Sequence, residues 1–514
     1  MKTFKKVLIA NRGEIAIRVI RACHELGIRT VAIYSSEDRY ALFRTKSDES
    51  YLIGKNKGPI EAYLGIDEII SLALKKGVDA IHPGYGFLAE NPDFSAKCAE
   101  AGVEFIGPTA QMIESLGDKI KSKLVAQSVG VPTIPGVEQP IKSDEEAIEF
   151  ASKCGFPVML KASAGGGGRG MRIARDEKEL LTGLHNARNE ARKAFGNDDI
   201  FMEKYLDNPK HIEVQVLGDN YGNLVHLFER DCSIQRRHQK VIEFTPALSL
   251  KESQREVICS DALKIARAVN YRNAGTVEFL VDSNGQHYFI EMNPRIQVEH
   301  TITEMVTGID LVQSQILIAQ GYRLESNEVG IKSQESVQPR GYAIQCRVTT
   351  EDPANNFAPD TGRIDVYRTG SGYGLRLDGG NGYTGSVISP YYDSLLVKII
   401  SSSRTFEDAI NKSKRSIREL VIEGVKTNEG FLLNVLSHPV FIKGDCGTNF
   451  IENTPELFDI TPRDNSEARL LKYFGEKAVN ETKGLTREYD VPRVPKIPES
   501  TSLSGTKQIL DSQG

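Results

Sequence analysis

Glu278, Glu291 and Asn293 are spaced to meet across a hairpin. The runs Thr276 to Val281 and His287 to Asn293 are rich in β-branched and aromatic residues, and Asn284-Gly285 between them is the strongest short hairpin signal. A two-residue turn there predicts Leu280 opposite Phe289, Phe279 opposite Ile290 and Glu278 opposite Glu291. Facing carboxylates about 5 Å apart repel by roughly 3 kcal/mol at an effective dielectric of about 20, and a bound cation removes the conflict. Asn293 falls on the strand face of Glu291, and hard oxygen ligands of this kind suit Mg²⁺ or Mn²⁺ better than zinc. The alternatives are an exposed polar face or one protonated glutamate; Phe279, Ile290 and Met292, predicted on the opposite face, argue for burial. Past Pro294 the odd positions stay polar as Arg295, Gln297 and Glu299. An arginine and a further carboxylate beside a cation can hold an anion and move a proton.

A second group could meet phosphate. Phe156 to Ser163 reads as a buried strand carrying Lys161, followed by Ala164-Gly165-Gly166-Gly167-Gly168-Arg169-Gly170. A stretch without Cβ atoms lets backbone N–H groups close on phosphate oxygens, although no Gly-Lys-Ser/Thr completes a Walker A loop. A plain flexible loop is the alternative, and strands on both sides favour a mobile lid. His211, Glu213 and Gln215 share one face of a strand-like run. Glu229 to Lys240 is densely charged, either a solvated stretch or part of the same site.

The elements that position these groups fall into successive units. Residues 6 to 107 alternate apolar strands (Val7 to Ala10, Thr30 to Tyr34, Ala80 to His82, Glu104 to Ile106) with helical patterns at Ile15 to Leu26 and Ile66 to Lys75, the grammar of an open parallel sheet. No G-x-G-x-x-G follows the first strand, which disfavours a dinucleotide site. The loop His82 to Phe87 sets two aromatics at a strand's carboxyl end, as a ligand loop or a packed turn. Residues about 340 to 447 form a unit of short strands and glycine turns with an amphipathic helix near Phe406 to Val421, and from about 455 a polar, proline-bearing stretch follows.

The bulk properties narrow the class. A chain of 514 residues buries several cores, and a net charge of −5 gives no footprint for nucleic acid or an anionic membrane. No run approaches the roughly 18 apolar residues of a membrane span, and Met1 to Ala10 leads into a strand rather than a cleavable signal. Seven cysteines without Cys-x-x-Cys point to reduced thiols and a cytoplasmic setting, and nine histidines hold no His-Glu-x-x-His.

Taken together, Asn-Arg-Gly-Glu at 11 to 14, His-Pro-Gly-Tyr-Gly-Phe-Leu at 82 to 88, Gly-Asp-Lys at 117 to 119, the glycine run, Arg236-Arg237-His238-Gln239-Lys240 and Glu291 to His300 resemble the biotin carboxylases of the ATP-grasp superfamily over residues 3 to about 450. Finer phrases, Ala343 to Pro353 and Ser389 to Leu396, look most like the amino-terminal part of the pyruvate carboxylases. The resemblance implies an α/β (α+β) ATP-grasp fold: a Rossmann-like parallel-sheet domain over 1–117, an ATP-grasp domain over 118–330 with a mobile lid at about 137–205, a β-rich biotin carboxylase C-terminal domain over 331–450, and a tail over 451–514.

It also implies roles. Lys119 and Lys161 would bind ATP phosphates under a lid of Gly165, Gly166, Gly167 and Gly168. Glu203, Lys204 and Leu206 would meet adenine, and His211, Gln235 and His238 the ribose and phosphate side. Glu278, Glu291 and Asn293 would hold Mg²⁺ or Mn²⁺. Lys240, Arg295, Gln297 and Val298 would position bicarbonate, Glu299 would act as base, and Tyr85 and Arg347 would meet biotin, Arg347 stabilising its enolate. ATP would convert bicarbonate to carboxyphosphate, which would release CO₂ to biotin, and the full enzyme would take pyruvate to oxaloacetate, an anaplerotic and gluconeogenic step.

No carrier lysine in Ala-Met-Lys-Met context occurs, so biotin is expected on a carrier domain outside this chain, with a carboxyltransferase domain as a further partner and a homo-oligomer as the assembly. The tail Gly505 to Asp511 resembles the start of the next segment of pyruvate carboxylases, which predicts a piece of a longer enzyme. The competing readings are the biotin carboxylase component of an acyl-CoA carboxylase, a carbamoyl-phosphate synthetase-like ligase, and a non-catalytic nucleotide-binding scaffold.

Overall fold

After Lys6 the first strand, β1 (Lys6–Ile9), is wholly apolar and buried, as a strand covered on both faces must be. It lies at the centre of a five-stranded parallel sheet with β2 (Arg29–Tyr34), β3 (Glu49–Leu52), β4 (Ala80–His82) and β5 (Glu104–Phe105), in the order β3-β2-β1-β4-β5. Because β1 and β4 are neighbours, helix α1 (Gly13–Glu25) and the loop after β4 leave from the same carboxyl edge, which brings Glu14 and Tyr85 together. β3 was not predicted: it is a half-exposed edge strand with no apolar run to mark it.

The structure is a computed structural model of the chain and describes residues 1–137, 139–162, 171–195, 199–460 and 474. The predicted glycine lid at 165–168 and most of the tail after 460 therefore lie outside the described residues. Residues Met1–Ile460 form one compact unit. No helix among the described residues is long and apolar enough to cross a membrane.

The large sheet is antiparallel and eight-stranded. In order it holds β13 (His287–Asn293), β12 (Asn273–Val281), β9 (Lys210–Gly218), β10 (Leu224–Arg236), β11 (Gln239–Thr245) and β14 (Tyr342–Thr349), then the strands Leu395–Ser403 and Leu375–Gly379. One apolar core under it contains Ile212, Val214, Val277, Phe279 and Met292; a second, around Phe244, Ile344, Val348 and Phe431, includes the predicted amphipathic helix, which spans Phe406–Glu419. A separate three-stranded sheet, β7 (Met171–Ala174), β6 (Val158–Ala162) and β8 (Ile200–Lys204), has a core of its own built on Val158, Leu160, Ile200 and Met202.

The hairpin of β12 and β13 places Glu278 opposite Glu291 as predicted, by a different route. Asp282 accepts hydrogen bonds from the N–H groups of Asn284 and Gln286, and Gly285 has φ +83°, so the loop has three residues, Ser283 to Gly285, instead of two. Val281 therefore pairs with His287, Leu280 with Tyr288 and Phe279 with Phe289, one residue off the predicted register. A bulge at Ile290 restores the alignment by Glu278, because one extra residue on one strand shifts everything beyond it. Ile290 consequently leaves the apolar face and lines the cleft.

Candidate active site

A cleft of about 1220 Å³ opens between the carboxyl edge of the parallel sheet and the polar face of the large sheet. Among the predicted site residues, Tyr85, Lys119, Leu206, His211, Gln235, His238, Lys240, Glu278, Glu291, Asn293, Arg295, Gln297, Val298, Glu299 and Arg347 all line it. Lys161, Glu203 and Lys204 do not. Lys161 and Glu203 are ion-paired to each other on the three-stranded sheet, and Lys204 Nζ donates to the carbonyls of Gly155 and Phe156, each at 3.0 Å.

The centre of the cleft is Lys240. Its Nζ lies 2.6 Å from Glu213, 3.0 Å from Glu278 and 2.7 Å from Glu299. Strand register explains the convergence: Glu213 on β9 pairs with Glu278 on β12, Gln235 on β10 pairs with Lys240 on β11, and alternation points all three charged groups to one face. Burial opposes the charge on Lys240, but the three carboxylates outweigh it and hold the ammonium well above its ordinary range. Burial would likewise raise Glu299; Lys240, Arg347 and Arg230 instead hold it well below the usual carboxylate range. Glu278 is depressed in the same way by Lys240 and His211.

Arg347 is fixed from behind. Its guanidinium pairs with Glu243, with Nε at 2.6 Å from the carboxylate, and its Nη2 reaches Glu299 at 3.1 Å. Glu243 is fully buried and also accepts from Gln345 at 2.9 Å. Arg230, fully buried beneath the site, pairs with Glu213 and donates to Gln215 and Thr303. Arg295 lies 3.0 Å from Glu90 of the parallel-sheet domain and donates to Gln297 at 3.0 Å. Glu90, Glu213, Glu243 and Arg230 were not among the predicted site residues. For Glu243 a signal was present, since a charge inside an apolar strand run, Val241-Ile242-Glu243-Phe244, demands a partner; Glu90 lies in a turn and carries no such mark.

At the other end of the cleft, Gln235 Nε2 donates to His211 Nδ1 at 2.7 Å, which leaves the ring proton on Nε2, 2.9 Å from Glu278. The hairpin tip of β10 and β11 is the two-residue turn Arg237-His238, both at positive φ. Without glycine such a turn is strained, and strain at a cleft mouth is a mark of function.

The donor set fits a divalent cation. Among the described residues Glu213, Glu243, Glu278 and Glu299 share the cations Lys240, Arg230 and Arg347, with His211 beside Glu278, and Glu291 brings a fifth carboxylate to the same face. Glu291, half-buried opposite Glu278, has no hydrogen-bond or ion-pair partner among the described residues. Asn293 is tied to Glu278 at 3.0 Å. Chemically, the cleft offers a cation-ready carboxylate pair beside an anion pole of Lys240 and Arg295, with an ionised carboxylate, Glu299, between Lys240 and Arg347.

Comparison with known proteins places this arrangement. The family models described as "Biotin carboxylase, N-terminal domain", "Carbamoyl-phosphate synthase L chain, ATP binding domain" and "Biotin carboxylase C-terminal domain" match residues 3–113, 118–327 and 345–453. The chain is 54% identical over 520 residues to the pyruvate carboxylase of Staphylococcus aureus, covering 100% of this chain and 45% of that protein. It spans about half the length of the curated relatives it matches. The biotin carboxylase subunit of a pyruvate carboxylase superposes with a TM-score of 0.82 at 49% identity, over 90% of this chain and 100% of that one. The biotin carboxylase domain dimer of Hydrogenobacter thermophilus 2-oxoglutarate carboxylase, solved with MgADP, ADP and bicarbonate, superposes at 0.79 and 50% identity, over 90% and 100% of the two chains. The parallel and antiparallel sheets match this fold.

Proposed function

The chain belongs to the biotin carboxylase family, and from that premise we propose that it carboxylates biotin on a carrier domain with ATP and bicarbonate, as the biotin carboxylase part of a pyruvate carboxylase. The observation that carries the reading is Glu299 held ionised between Lys240 and Arg347 in a cleft that also holds Arg295. Pyruvate as the final acceptor rests on the curated relatives. The likeness to a 2-oxoglutarate carboxylase domain at similar identity favours a second reading, that oxo acid as acceptor, because the acceptor is chosen outside this segment. The sequence divides, in this proposal, at about 117, 330 and 450.

Bicarbonate is a poor electrophile, so its activation depends on positioning and on neutralising charge in the phosphoryl transfer. Lys240, Arg295, Gln297 and the Val298 segment bind the anion; its oxygen attacks the γ-phosphorus, ADP leaves, and Glu299 takes the bicarbonate proton. A carboxylate held this low is always ionised but weakly basic. An anion bound at Lys240 shares the ammonium's charge with Glu299 and so raises the basicity of the carboxylate where the proton must be taken, without moving the lysine. Carboxyphosphate then breaks to CO₂ and phosphate, the phosphate accepts the ureido proton of biotin, and the enolate attacks CO₂ while Arg347 stabilises the enolate oxygen. Tyr85 borders the biotin side. Lys119, Lys161, Glu203, Lys204, Leu206, His211, Gln235, His238 and the run Gly165 to Gly168 serve ATP; the Lys161–Glu203 pair must open to admit it. Glu278, Glu291 and Asn293 would hold Mg²⁺ or Mn²⁺, which neutralises phosphate charge when bound.

Steady-state ADP release with bicarbonate, with and without free biotin, tests the proposal. Biotin is expected to stimulate the wild-type chain, and Glu299→Gln to lose at least about tenfold. Turnover indifferent to biotin would favour a ligase of the carbamoyl-phosphate type, and no ATP turnover at all a scaffold.

A further inference from the structure

Val298 and Glu299 rim the anion pole, yet no strand or helix holds them, because β13 has ended at Asn293 and the next helix begins at His300. Two buried side chains hold the segment from behind. His300 Nδ1 lies 2.7 Å from the Gln297 carbonyl, and a carbonyl only accepts, so the ring donates. Lys398 Nζ donates to the Val298 carbonyl at 2.9 Å. Lys398 is 0% exposed in the middle of an apolar strand, where a buried ammonium is costly unless its partners answer it. Its ion-pair partner is Glu14 at 2.9 Å, with Asp378 farther off at 3.9 Å. The Glu14 oxygen that meets Lys398 also accepts the Tyr85 hydroxyl. Gly380 packs so tightly on this corner that a Cβ there would meet the Glu14 nitrogen at 2.8 Å, which leaves α1 little room to shift.

We infer that Lys398 and Glu14 are positioning residues that join the Tyr85 loop, which meets biotin, to the Val298–Glu299 peptide, which meets bicarbonate, and so couple the two substrates. The inference rests on the functional reading above. With its carbonyl turned to Lys398, the trans peptide directs the Glu299 N–H the opposite way and fixes the backbone from which the Glu299 carboxylate extends. Lys398 does not line the cleft. Its effect passes through side-chain atoms while α1 stays in place: a shift of the Tyr85 hydroxyl is passed by the Glu14 carboxylate to Lys398 Nζ and the Val298 carbonyl in turn.

The test is ADP release by the full chain with bicarbonate and free biotin varied independently, in the wild type, Lys398→Met, Lys398→Arg and Glu14→Gln. Lys398→Met is expected to raise the KM for bicarbonate at least about tenfold and leave that for ATP within about twofold, since misplacement by an ångström costs rates of this order. Lys398→Arg recovers most of the loss. Glu14→Gln keeps an acceptor oxygen and the shape, and is expected to raise the bicarbonate KM about threefold and to abolish the dependence of that KM on biotin expected of the wild type. A packing defect alone would move the ATP KM as well and would not respond to arginine. Should Lys398→Met fail to fold, Glu14→Gln decides. An unchanged bicarbonate KM in folded Lys398→Met, a biotin dependence intact in Glu14→Gln, or a stimulated wild type whose bicarbonate KM ignores biotin overturns the relay. A wild type that biotin does not stimulate overturns the functional reading instead.

Discussion

The large sheet and the three-stranded sheet each carry a lysine expected to meet an anionic substrate, bicarbonate at Lys240 and ATP phosphate at Lys161, and they treat it in opposite ways. Lys240 is nearly buried, with three carboxylates within 3.0 Å, while Lys161 is 38% exposed and has Glu203 as its ion-pair partner. Interlocked buried charges are pre-set, because moving one strands the others; an exposed pair exchanges partners at little cost. The anion pole is thus rigid before substrate arrives. The three-stranded sheet instead carries a half-exposed pair that can exchange partners.

The sharpest break of this contrast comes from removing each lysine. Lys240→Met leaves Glu213, Glu278 and Glu299 facing one another. It is expected to abolish bicarbonate-dependent turnover by about a hundredfold or more and to cost roughly 3–5 kcal/mol in denaturant unfolding. Lys161→Met is expected to raise the KM for ATP about tenfold with stability within about 1 kcal/mol of wild type. Equal stability losses at both sites would erase the distinction.

The carboxylate pair sharpens it within a single hairpin. Glu278 is held by Lys240 and Asn293, whereas Glu291 is free of protein partners among the described residues. Glu291→Gln is expected to raise the Mg²⁺ concentration for half-maximal activity about tenfold at nearly unchanged melting temperature. Glu278→Gln loses both. A Mg²⁺ titration beside a thermal melt separates them.

Acid should act on the buried groups, first on the parallel sheet and then on the anion pole. Burial pushes His82 down to about 4, so between pH 6.5 and 4 the unfolded chain binds a proton that the folded chain refuses, and stability falls by roughly 3 kcal/mol over that window. Glu278 and Glu299, held low by Lys240, add a further loss as pH drops below about 4.3 toward their folded values. Denaturant midpoints from pH 7 down to about pH 3 check the sign of both losses. The smallest effect is expected from Glu203→Gln, which frees Lys161 and changes stability by less than about 1 kcal/mol.

The same contrast governs how much was legible in the sequence. The facing glutamates could be read because Asn284-Gly285 marks the hairpin, although a three-residue loop and the bulge at Ile290 had to cancel for the answer to hold. The helix at Phe406–Glu419 and the central parallel strands were legible because their periodicity is local. The partners of Lys240 were not. They lie 27, 38 and 59 residues away; the strand order of the large sheet brings Glu213 and Glu278 to Lys240, and the segment after β13 brings Glu299. Glu243, Glu90 and Lys398 announce merely that a buried or domain-edge charge needs a mate, without saying which.

The central claim is that this cleft activates bicarbonate by phosphorylating it. Turnover with ¹⁸O-labelled bicarbonate, ATP and free biotin tests it directly, with the released phosphate analysed by mass. Attack by a bicarbonate oxygen on the γ-phosphorus leaves one labelled oxygen in the phosphate for each biotin carboxylated, and Glu299→Gln should remove that labelled product with the activity. Phosphate that carries no label while biotin is carboxylated would contradict the account.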